Sequence, residues 1–594
     1  MSQYPMKWNL DAIYPGGAGS EQFAEELAGM ESGIAELYSL LAGEEASSLI
    51  SVKRMTALSQ QVLLSLRQSQ SFVECLIAQN VRDLEAIGLN NRVQNISAKF
   101  FAAMTRFDHI LRDIGDDAWS GMLRDEQLAE ISFNLNERRE HAKLKLAPEL
   151  EALAGDLAID GYHGWGELYN LIVSGAKFRA PGADGEERLL SAGQMANRLS
   201  DSDRSVRQAA FAEWERVWGS VADLSADTLN RIAGFRLKLY ENRGWSSVLQ
   251  EPLQINRMSE ATLNAMWDAI DEGKKALLPY LERKAKLLGI EKLDWHDVDA
   301  PIGSATRTVS YDEGARFIAE QFRAFDPAMA DFAEMAFRDG WIEAEDRDGK
   351  RPGGFCTSFP KRGQTRIFMT YSGTASNIST LAHELGHAYH QHVMNDLPGL
   401  AQEYAMNVAE TASTFAEMIV SDRAMKAAKE EDEKLGLLED KIQRSVAFFM
   451  NIHARLLFEK RFYERRKEGL VTVSELNELM ERAQREAFKD ALGEAHPHFW
   501  ASKMHFYLTD VPFYNFPYTF GYLFSAGLYA RALEEGASFA PKYVALLRDT
   551  GRLTVEKLAE KHLGVNLEEQ SFWRDAVSLT AEDVRLFLEM TEEK

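Results

Sequence analysis

The chain has 594 residues, 45% of them hydrophobic and 27% charged, which is enough to bury more than one core and to enclose a cavity, so two or three lobes are expected. A formal net charge of -24 opposes binding to phosphate backbones and anionic lipid surfaces, both of which need clustered Lys and Arg. No run of roughly 18 or more apolar residues is available to cross a bilayer, so nucleic acid and membrane are both excluded as expected partners.

The opening residues carry neither a basic leader with an apolar core nor a small-residue cleavage site, so nothing points to export. Cys75 and Cys356 are the only cysteines; they cannot build a disulfide framework, and two unpaired thiols in a large chain fit a reducing, cytoplasmic setting. A short strand is expected at 170–178 before the turn-forming stretch 180–187. That turn, with a helix start at Ser200 and Asp201, sets a boundary near residue 190, dividing a helical N-terminal lobe, 1–190, from a larger region, 191–594. Within the larger region Val206, Ala210, Trp214 and Val217 share one face, as a helix requires, and the same spacing recurs through most of the chain. The fold class is therefore mainly α, with a second pair of short strands at 354–359 and 366–371 around the turn Pro360 to Gln364.

Directly after that pair, 374–392 opens with Ser and Asn capping candidates and places Leu381, Leu385, Ala388 and Tyr389 on one apolar surface. His383 and His387 lie four residues apart, one turn of helix, so both imidazoles can reach one tetrahedral zinc, with Glu384 beside them as a base for an attacking water. A third ligand is needed. After a turn at 395–399, the helix expected over 402–422 carries Glu403, Glu410 and Glu417 on one stripe. Glu410 is the natural third ligand, while Glu417 suits the orientation of a histidine. Gly and His would have to stand where His390 and Val393 are for the metzincin arrangement to apply. The charged run 428–441 reads as a solvated helix face. Toward the end, 502–527 gathers His505, Tyr507, Tyr514, Tyr518 and Tyr522 among Phe residues. Four phenols near one histidine each need a hydrogen-bond partner if buried, which a core or a polar cavity can supply.

These residues, with the stretches from Trp8 to Gly16, 229–245, 352–360, 381–390 and 409–417, resemble the M3 metallopeptidases, specifically the oligoendopeptidase F branch, over nearly the whole chain. The resemblance implies a bilobed helical metallopeptidase with a small β-sheet beside the zinc site and a deep substrate channel. It also implies one zinc per chain and oligopeptide substrates cut at internal bonds, with 1–190 as a lobe or lid and 191–594 as the catalytic region. By position, His383, His387 and Glu410 match the ligands, Glu384 the general base, and His505 and Tyr522 the transition-state stabilisers, with Tyr514 and Tyr518 as alternatives to Tyr522. The strand at 354–359 is a candidate to pair with an extended peptide, Gly353 and Gly354 allowing close backbone approach. An aminopeptidase would need an anchor for a free amine that the sequence does not offer. A binding protein without turnover would have no use for Glu384.

Overall fold

A computed structural model describes residues 3–182, 185–302 and 308–593; Ala183 and Asp184 of the expected turn lie outside them. The described chain is mainly helical, with two small sheets. None of its helices is long and apolar enough to cross a membrane. It forms two compact units, each assembled from three stretches. The first comprises Met1–Pro148, Arg307–Arg423 and Arg531–Gly564; the second comprises Glu149–Thr306, Ala424–Ala530 and Val565–Lys594.

In the first unit, long helices at Glu21–Leu41, Leu49–Gln79 and Leu84–Asp113 share one core. Its members include Tyr14, Phe23 and Phe72, whose rings meet at 4.9 to 5.1 Å. Phe359 and Phe368 of a three-stranded sheet join the same core. A hairpin in the second unit supplies the first two strands, β1 (Phe178–Pro181) and β2 (Glu187–Leu190). In the first unit's sheet, β5 (Gln364–Phe368) is central, parallel to β3 (Ile342–Glu343) and antiparallel to β4 (Phe355–Phe359). The turn between β4 and β5 closes on Gly363 at φ 61°, a left-handed geometry that glycine adopts without a Cβ penalty. β4 has β5 on one side and, among the described residues, no strand on the other. One side chain of the Leu49–Gln79 helix reaches it, as Thr357 Oγ1 donates to Ser71 Oγ at 2.6 Å.

Two expectations about local structure change. Most of 170–178 is the end of a helix, Gly164–Gly175, and only Phe178 begins a strand. Tyr169 and Ile172, three apart, are buried while Leu171 is exposed, so the apolar run follows a helical face and not a pleat. Glu403 lies outside the acidic helix, which spans Met406–Ala427, so the carboxylate stripe retains only Glu410 and Glu417.

Candidate metal centre and active site

The helix Ala375–Met394 is fixed at its start by Thr374, whose side chain accepts from the Asn377 amide while Asn377 returns a bond to the Thr374 amide, satisfying two orphan donors at once. The cap is thus Thr374, two residues ahead of Ser376 and three ahead of Asn377, the expected candidates. Leu381, Leu385, Ala388 and Tyr389 are buried as the periodicity requires. This face sets the rotation of the helix, and His383 and His387 emerge from it with ring centroids 4.9 Å apart and planes nearly perpendicular.

The carboxylate helix passes close because Gly386 has no side chain. A Cβ there would meet the Ala412 carbonyl oxygen and Ser413 Cα, each at 2.5 Å. That approach brings Glu410 Oε2 to 3.3 Å from His383 Nε2 and 3.6 Å from His387 Nε2. A tetrahedral zinc with bonds near 2.05 Å needs donors about 3.3 Å apart, so the donor set fits the ion in both chemistry and spacing. Behind it, Glu417 Oε2 lies 3.3 Å from His383 Nδ1. Glu417 is itself held by a 2.7 Å bond from Ser379 Oγ. Ser413 Oγ donates to Glu410 Oε2 at 3.0 Å. The outer carboxylate on Nδ1 leaves Nε2 directed at the cluster.

The electrostatics follow from burial and crowding. Burial alone would lower His383, but bonds to Glu410 and Glu417 and the charge of Glu384 hold its pKa up at about 10. Burial dominates at His387 and brings it down to about 4. Burial works against ionisation of Glu410, yet its bond to His383 and the charges of both histidines keep its pKa at about 2. Glu384, 6% exposed, is raised by burial to about 7, with His383 opposing and Glu410 and Glu417 adding to the rise. A carboxylate that titrates near neutrality can both take and give a proton. Gly354, just before β4, shapes its surroundings: a Cβ there would stand 3.5 Å from Glu384 Oε1. Burial first and the charge of Glu384 second raise the Cys356 thiol well above its ordinary value, which disfavours the thiolate that a nucleophile needs. His390 is a core residue, its Nε2 2.8 Å from Thr550 Oγ1 and its ring stacked on Tyr404.

In the second unit, His505 sits half-buried with Tyr514 and Tyr518, at centroid distances of 5.4 and 6.5 Å. Burial, then the cations Arg455 and Lys503, push its pKa down to about 4, leaving the ring neutral. Tyr522 is buried deeper, stacked on Phe448, with its hydroxyl 2.9 Å from Ser445 Oγ. The Tyr507 ring stacks on Tyr169.

Gly386 is the residue that sequence reading passed over. The available signal was a glycine in the middle of an otherwise well-formed helix, which costs about 1 kcal/mol against alanine and so asks for a packing reason.

Residues 198–573 match the model of peptidase family M3, and residues 111–178 that of oligopeptidase F. An oligoendopeptidase F homolog of Lactococcus lactis subsp. lactis (strain IL1403) is 23% identical, covering 97% of this chain and 95% of its own. Oligopeptidase PepF of Bacillus subtilis (strain 168) is 21% identical over 91% of this chain and 81% of its own. The crystal structure of oligoendopeptidase-F from Enterococcus faecium superposes with a TM-score of 0.73 at 17% identity, covering 97% of this chain and 99% of that one. With the family model spanning well over half of the sequence, this chain belongs to peptidase family M3, in its oligoendopeptidase F branch, and is a metallopeptidase.

Proposed function

We propose that the chain is a zinc-dependent endopeptidase that hydrolyses internal bonds of short, unstructured oligopeptides, with His383, His387 and Glu410 holding zinc and Glu384 as general base. The observation that carries this reading is the convergence of two imidazole nitrogens and one carboxylate oxygen at 3.3 and 3.6 Å. Zinc, when bound, polarises the scissile carbonyl and brings the pKa of its water near neutrality. Glu384 takes the proton from the attacking water and delivers it to the departing amine. Glu417 keeps His383 in the tautomer that directs Nε2 inward. His505, with a phenol of its own segment, donates to the oxyanion as charge develops. Tyr522 is the phenol that family resemblance names; Tyr514 and Tyr518, nearer His505, are its rivals.

β4 supplies a sequence-tolerant grip. Its free edge offers backbone donors and acceptors to an extended peptide. A folded substrate has already paired those groups within itself. The test presents one cleavable sequence as a short peptide with a blocked amino terminus and again inside a stable folded domain, with cuts mapped by mass. The blocked peptide should be cut internally and the folded form left intact. Failure on the blocked peptide would move the reading to an aminopeptidase. In parallel, Glu384→Gln should retain the zinc of this site while losing nearly all turnover, and Glu410→Gln should lose the zinc. Equal loss of metal in both would overturn the assignment of base and ligand.

A further inference from the structure

Among the described residues a second group can converge on a metal ion, and it lies within the second unit: Asp294, His296 and Glu494, with one ligand atom from each within 4.8 Å of the others. Two strands of chain 200 positions apart are held together here. Trp295 N donates to the Glu494 carbonyl at 2.9 Å and Gly493 N to the Leu293 carbonyl at 2.8 Å, while Glu494 N donates to Asp294 Oδ1 at 2.8 Å. Gly493 permits the approach, since a Cβ on it would fall 2.5 Å from Asp294 Oδ1.

His296 is the feature that asks for a ligand. It is 5% exposed, yet neither ring nitrogen makes a hydrogen bond. The nearest carboxylate contact is Asp297 Oδ1, 3.7 Å from Nε2. An unsatisfied buried polar group costs about 1 to 3 kcal/mol, so a fold does not ordinarily keep two on one ring. The charges nearby are unevenly met. Asp297 takes Arg207 and shares Arg204 with Asp294, whereas no ion pair among the described residues reaches the exposed Glu494. One imidazole and two carboxylates form a nitrogen and oxygen donor set suited to a first-row divalent ion, with the exposed side of Glu494 as the entry path.

We propose that Asp294, His296 and Glu494 form a second divalent-cation site, separate from the histidine-helix site, that clamps 293–297 to 493–496. Asp294 accepts from Arg204 through Oδ2 and from the Glu494 amide through Oδ1, each at 2.8 Å, and its carboxylate also caps the Asp297 amide, so the metal takes the lone pair beyond these three. A carboxylate on the far ring nitrogen, as Asp297 is placed to be, is the usual companion of a ligating histidine.

The test is zinc content of the full chain, stripped with chelator and dialysed against buffered free zinc on the order of 10 µM, enough to fill a site with a dissociation constant of about 1 µM or tighter. His296→Ala and Glu494→Gln should each hold about one equivalent less than the unaltered chain. Glu410→Gln loses a different equivalent, so Glu410→Gln combined with Glu494→Gln should hold none. Because the Glu494 side chain is exposed, its exchange for Gln leaves the core untouched, and an unchanged metal-free thermal midpoint confirms the fold. A Glu494→Gln chain that holds as much zinc as the unaltered one overturns the proposal. Should the histidine-helix site take no zinc, the unaltered chain would still lose its bound equivalent on Glu494→Gln, which keeps the two outcomes apart.

Discussion

Glu417 touches His383 and not the cluster itself, so its effect passes through an imidazole. Glu417→Gln should weaken zinc by about 10 to 100-fold while leaving the ligand set whole, measured by competition with a chelator of known affinity; unchanged affinity would reduce Glu417 to a partner of Ser379. Tyr514→Phe, Tyr518→Phe and Tyr522→Phe rank the phenols: the one that meets the oxyanion should lower the rate constant about 100-fold or more with little change in KM. His390 allows a pH test. Burial first, then the charge of His387, lowers its pKa to about 3, against an ordinary value near 6.5. The unfolded chain therefore binds the extra proton, and stability present above pH 6.5 is lost as pH falls toward 3. Between pH 7.5 and 5 the loss is on the order of 2 kcal/mol. In metal-free protein His390→Gln should lose less thermal stability over that interval than the unaltered chain; equal losses would assign the acid sensitivity elsewhere.

For the helices, the decisive position is Gly386. Alanine is the better helix former by about 1 kcal/mol, but its methyl would meet backbone atoms at 2.5 Å, and backbone cannot rotate away as a side chain tip can. Overpacking typically costs 1 to 3 kcal/mol. Packing outweighs propensity, and Gly386→Ala should both lower the thermal midpoint and weaken zinc by parting Glu410 from the histidines. An alanine variant with full zinc affinity would show that the two helices are free to slide.

The same elements show what is readable in a sequence. His383 and His387 stand out because a four-residue spacing is a local property of one helix, and β4 because its short run precedes a clear turn, whereas the strand expected at 366–371 is β5 at Gln364–Phe368, starting two residues earlier, inside the expected turn. The stretch 170–178 misleads because three consecutive apolar residues fit either a pleat or a helical face until the burial of Tyr169 and Ile172 decides. Thr374 is one of several polar residues able to cap, and only its reciprocal bond with Asn377 selects it. Asp294, His296 and Glu494 have no common spacing to notice; contacts across 200 positions bring them together.

At the scale of the whole molecule, the first unit is completed by residues from far along the chain. His390, three residues beyond His387, leans on Thr550, 160 positions later. Gly551 closes the same region: a Cβ on it would stand 2.0 Å from the Ala401 carbonyl oxygen, and its own carbonyl accepts from Asn134 Nδ2 at 2.8 Å. Translation proceeds at roughly 5 to 20 residues per second, so the histidine helix waits about 8 to 32 seconds after its own synthesis for the segment that packs against it. During that interval the histidine helix and the carboxylate helix exist without their final support, and the nascent chain must keep the exposed apolar face of Ala375–Met394 from other partners. The region around His383 and His387 therefore takes its final packing only after residues 550 and 551 have been made.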